Sequence, residues 1–98
     1  MTDANFEWDH GKEILNYKKH GVRFDEAQEA FFDPRRIIAK DKEHSTEKEV
    51  RYFCFGKVDK EVLTVRFTYR NDKIRIIGAG CWRKGKKIYE QNEKKQKD

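Results

Sequence analysis

Cysteine is scarce in this chain: Cys54 and Cys81 are the only two, twenty-seven residues apart and in no CxxC pair. So low a count argues against a disulfide framework, and the opening Met1-Thr2-Asp3 has no signal-peptide character. Free thiols and a cytoplasmic location are therefore expected. No apolar run approaches the ~20 residues of a membrane span, so no membrane partner is expected. The three histidines, His10, His20 and His44, lack the spacings that ligate a metal, and neither a metal site nor a cofactor is expected. A glycine-rich phosphate loop and a serine nucleophile elbow are also missing. Any chemistry must come from positioned acids, bases and cations.

What is present is charge and aromatic rings. Of 98 residues 42% are charged, and residues 1–98 are too few for more than one domain. Seven Phe, four Tyr and two Trp supply a compact aromatic core, which argues against disorder. The net charge of +5 is unevenly placed. Residues 1–69 carry thirteen Lys and Arg against fourteen acids, whereas residues 70–98 carry ten against four. The back third holds the whole excess. That split suggests an element facing a polyanion, although Lys94, Lys95 and Lys97 also fit a hydrated tail that frays from about residue 92.

Phe6-Glu7-Trp8 alternates like a short strand. Asp9 is a good N-cap for a helix over His10–His20, with Ile14, Leu15 and Tyr17 on an inward arc and Gly21 closing it. A second helix is expected from Asp25, with Gln28 completing a capping box and Asp33-Pro34 stopping it. Beyond Ile37-Ile38-Ala39 and a polar connection, three strand-like runs follow: Val50–Phe55, Val62–Tyr69 and Lys73–Ala79. A short helix from about Arg83 completes an α+β domain, with the helices on one side of a small antiparallel sheet.

Strand parity assigns faces. A two-residue turn at Asn71-Asp72 pairs Thr68 with Arg75 and puts Leu63, Val65, Phe67, Ile74 and Ile76 on the core face. Centring the preceding hairpin on Asp59-Lys60 pairs Arg51 with Thr68. The result is a row of Arg51, Thr68 and Arg75 on the non-core face, with Phe53 beside Arg66. A one-residue slip would reverse Arg51 and Phe53. Two guanidiniums and a ring suit phosphate gripping and base stacking on single-stranded RNA, and they also suit an ordinary solvated face.

Trp82, Arg83, Lys84, Lys86, Lys87 and Tyr89 follow at once. The cations suit RNA phosphates and the rings suit base stacking, and the two rings equally suit docking the last helix with the basic heads beyond them. His20 ends a helix, where it serves as a cap or as a general acid or base. His44 sits on a loop feeding the Arg51 strand, as a proton shuttle or a solvated imidazole. RNA cleavage without a metal fits these parts, because the 2′-hydroxyl of the substrate is itself the nucleophile.

Phe6-Glu7-Trp8-Asp9, Lys19-His20-Gly21, Phe24-Asp25-Glu26-Ala27, Phe32-Asp33-Pro34, Asp41-x-x-His44-Ser45 and Ile74-Arg75-Ile76-Ile77 occur in that order. Over about residues 5–90 this set resembles the BrnT family of type II toxins. The resemblance implies a RelE-like fold, a ribonuclease that halts translation, and a BrnA-like ribbon-helix-helix antitoxin, through which the complex binds promoter DNA. It carries site roles most directly to His20, His44 and Arg75, with Arg51 at a basic family position. One departure stands out: where the family has Ser-Ala-Arg after the Ile-Arg-Ile-Ile strand, this chain has Gly78-Ala79-Gly80, so glycine replaces the expected arginine. Arg83 or Lys84 is the nearest replacement cation. A catalytically weak RNA- or ribosome-binding relative is the alternative reading.

Overall fold

The computed structural model describes residues 5–97; the Met1-Thr2-Asp3 start lies outside them. The elements are β1 (Phe6–Trp8), α1 (His10–His20), α2 (Phe24–Ala27) continuing into a 3-10 turn (Gln28–Phe32), β2 (Ile37–Asp41), β3 (Arg51–Val58), β4 (Glu61–Arg70), β5 (Lys73–Gly80) and α3 (Arg83–Lys97). The sheet runs β1-β5-β4-β3-β2. Four strands pair antiparallel, but β1 joins β5 in parallel, so the sheet is mixed rather than antiparallel. The cause is connectivity: β1 and β5 lie far apart in the chain, with no hairpin to fix their direction.

Both hairpins take the expected register. Asp59, Asn71 and Asp72 have positive φ, the backbone state that tight hairpin turns require. Arg51 pairs with Thr68, and Thr68 with Arg75. An irregularity between Arg66 and Phe67 leaves Ile77 unpaired, so Gly78 opposes Arg66 and Gly80 opposes Thr64.

Helix α1 starts where the sequence places it, with Asp9 accepting from Gly11 N (2.8 Å) and Lys12 N (3.2 Å), and ends at left-handed Gly21. Its facing is the reverse of the expected one. Ile14, Leu15 and Tyr17 are exposed, while Glu13 and Asn16 turn inward. The reason is hydrogen bonding to distant backbone. Asn16 Oδ1 accepts from Ala79 N and its Nδ2 donates to Ala79 O, serving the edge of β5 beyond the end of β1. Glu13 accepts from Phe24 N (2.9 Å) and so caps α2, which begins at Phe24 after extended Arg23 rather than at Asp25.

The main core lies under α1 and α2, around Phe24, Phe67, Leu63, Val65 and Ile76. Helix α3 packs on the other face, over a second cluster of Phe55, Val62 and Tyr89, so the helices are not all on one side. It runs over Arg83–Lys97.

Asp33 latches α3 in place, accepting from Tyr89 Oη (2.6 Å), Lys57 N (2.7 Å) and Arg35 N (2.9 Å). Burial alone would raise the Asp33 carboxyl, but these hydrogen bonds outweigh it and hold the pKa below its ordinary value. A depressed carboxylate stabilises the fold above its unfolded pKa and loses that contribution as pH falls through the folded one. Tyr89→Phe is therefore expected to cost about 1–2 kcal/mol at neutral pH. The deficit should shrink below about pH 4, read by urea unfolding across pH.

Candidate active site

On the sheet face that α3 packs against, beyond the end that the helix covers, lies a transverse row. In register order it reads Asp41, Arg51, Thr68, Arg75, Glu7, one residue from each strand. With strands ~4.8 Å apart, the two arginine Cα atoms stand about 10 Å from each other across Thr68. Parity and the two turns foretold the three central residues; the acids at both ends complete the row.

Each arginine is held by an acid. Arg51 Nε donates to Glu49 Oε1 (2.8 Å), and Arg75 Nη1 donates to Glu7 Oε2 (2.9 Å). A guanidinium has five N–H donors, so one bond fixes the plane and leaves the others for a ligand. Thr68, between them, is 3% exposed and spends its hydroxyl on Val50 O (2.7 Å). It is a spacer.

His44 stands at the Asp41 end. Its Nδ1 is 2.9 Å from Asp41 Oδ2, and its backbone N–H donates to Asp41 Oδ1 (3.3 Å). Asp41 is 4% exposed whereas His44 is half-exposed. A carboxylate on Nδ1 fixes the proton there and leaves Nε2 as the free, basic nitrogen. Ser45 pins the loop: its hydroxyl accepts from Arg51 N (2.8 Å) and donates to Asp41 O (2.6 Å). A buried acid and an oriented imidazole thus stand at one end of the row, next to Arg51, with Arg75 two strands further across the same face.

His20 is not brought to this group. Its ring meets Trp82 edge-on, with centroids 5.0 Å apart, and Trp82 lies over Gly80. Gly80 pairs with Thr64, four residues along β4 from Thr68 and so about 13 Å away. Arg66 lies between the two ends, its side chain reaching over Gly78.

The basic residues of α3 fan out. Lys84 lines a groove with Phe53 and Trp82, Arg83 and Lys86 face Glu61 and Cys81, and Lys87 sits by Glu90 and Lys94. Tyr89 is 3% exposed and hydrogen-bonded to Asp33, so it docks the helix and offers no ring to a ligand.

The thiols are poor nucleophiles. Burial pushes Cys54 up to about 12, and burial together with Glu61 pushes Cys81 up to about 11. Among the described residues, no group of three or more His, Cys, Asp or Glu could hold a metal ion.

Sequence reasoning missed Asp41, Glu7 and Glu49 as partners. Asp41 stands three residues before His44 in Asp41-x-x-His44-Ser45, which is signal enough. Glu7 could not be matched to Arg75 without the parallel pairing. A family model described as a ribonuclease toxin, BrnT, of type II toxin-antitoxin system matches residues 8–85, about four-fifths of the chain. No curated protein matches significantly.

Proposed function

This chain belongs to the BrnT family of ribonuclease toxins of type II toxin-antitoxin systems, and we propose that it cleaves single-stranded RNA endonucleolytically on the Arg51–Arg75 row, without a metal. The observation that carries this reading is the cross-strand row itself, with the Asp41–His44 pair at its end. Arg51 and Arg75 bind the scissile phosphate and offset the charge that grows on it in the crowded transition state. His44 Nε2 takes the proton of the 2′-hydroxyl, and Asp41 stabilises the imidazolium that results. The 2′-oxygen attacks phosphorus and the bond to the 5′-oxygen breaks. Solvent protonates that oxygen, since His20 lies at the far end of the face. Arg66, Arg83, Lys84, Lys86 and Lys87 hold the RNA backbone, with Trp82 as the exposed ring.

On this reading the fold is RelE-like, cleavage of RNA stops translation, and a BrnA-like ribbon-helix-helix antitoxin neutralises the toxin and carries the complex to promoter DNA. The chemistry sets the test. Products must end in a 2′,3′-cyclic phosphate and a 5′-hydroxyl, seen by mass spectrometry of a defined oligonucleotide. A 5′-phosphate and a 3′-hydroxyl would overturn the mechanism.

Gly80 supports the second reading, of a catalytically weak relative that binds RNA or ribosomes. Trp82 occupies the space above Gly80, where a Cβ would come within 2.7 Å of its ring. RNA bound but never cut would favour that reading.

A further inference from the structure

We propose that the groove between the start of α3 and the sheet is a slot for one unpaired nucleobase of the RNA strand whose phosphate sits on the arginine row. The inference rests on the RNA-cleaving reading above and adds where a base is held. The groove encloses about 530 Å³, within the ordinary range of small-molecule pockets. Phe53 and Phe55 form its floor, their rings stacked with centroids 5.7 Å apart and 25° between planes. Trp82 and Ile88 wall it, and Lys84 stands on its rim. Thr64, 5% exposed, also lines it, and its hydroxyl has no hydrogen-bond partner among the described residues.

Three observations select a base over another occupant. The aromatic surface is flanked by cations, Lys84 on one side and Arg66 across from Phe53, which matches a flat ring carried on an anionic backbone. It is also continuous with the row: Phe53 is two residues from Arg51 on the same strand face, about 7 Å away. Finally, the wall depends on Gly80. Trp82 packs where a side chain at that position would stand, so the departure that removes the expected arginine also creates the slot.

The experiment uses the full chain and a 2′-O-methyl oligonucleotide, which lacks the nucleophile and so reports binding alone. Abasic sites are scanned through it one position at a time, against wild type and Phe53→Leu, a change that keeps an apolar side chain over the second core. In wild type one abasic position is expected to weaken binding about ten-fold. Phe53→Leu should weaken the intact oligonucleotide to a similar degree and be insensitive to that same position. Trp82→Leu, on the opposite wall, should repeat the pattern. A flat scan in wild type overturns the slot, as do variants that lose affinity for a ribbon-helix-helix antitoxin but none for RNA. Cleavage of the matching unmodified RNA separates the two ideas. Cutting with a flat scan removes the slot alone, and a base-dependent scan without cutting removes the enzyme alone.

Discussion

Replacing Arg75 with alanine is expected to slow RNA cleavage by about 10²–10³-fold, the usual loss when a charge-stabilising donor is taken from a reacting oxyanion. Arg75 sits mid-face, on a strand paired on both sides, so its position is set by the sheet rather than by a loop. Its bond to Glu7 holds the guanidinium plane and leaves donors for phosphate. The same bond separates activity from stability. Arg75→Ala leaves a half-buried carboxylate unpaired, and the added change Glu7→Gln relieves that cost. The double variant should recover its unfolding midpoint and remain inactive. Recovery of cleavage along with stability would make Arg75 a structural residue only. Arg75→Lys should recover little, because a single ammonium cannot hold Glu7 and grip phosphate with a planar fork.

His44→Gln is expected to lower the rate by about 10²–10⁴-fold, the range for a positioned general base. RNA affinity should change little, since the imidazole acts on the 2′-hydroxyl and not on the backbone charge. Asp41 acts through His44 as a positioning residue. Asp41→Asn should cost about 10²-fold, because an amide neither fixes the Nδ1 proton nor stabilises an imidazolium. The discriminating readout is the pH–rate profile. A base must be unprotonated to act, so the wild-type rate should rise on the acid side, and that limb should vanish in His44→Gln. A limb that persists would assign it to another group.

Some of this was legible in the sequence because local chemistry fixed it. Asn71-Asp72 and Asp59-Lys60 set two hairpin registers, and those registers alone align Arg51, Thr68 and Arg75. Asp9 and Gly21 likewise bounded α1. What failed depended on distant backbone. Glu13 and Asn16 face inward because Phe24 and Ala79 present unpaired polar groups there, a demand invisible to a hydrophobic arc through Ile14 and Leu15. The parallel pairing of Glu7 with Arg75 spans 68 residues, and no turn announces it. The placement of α3 was hidden for a similar reason. Its basic residues suggested a working surface, but Tyr89 and Asp33, 56 residues apart, decide which face of the sheet it covers.

The central claim is that Arg75 and His44, on one sheet face, cut RNA without a metal. Its most direct test is the initial rate on a defined single-stranded RNA in excess EDTA, for wild type and for Arg75→Ala combined with His44→Ala. Full wild-type cleavage under chelation, with the double variant at background, is the predicted result. Loss of wild-type cleavage in EDTA, or undiminished cutting by the double variant, would contradict the claim.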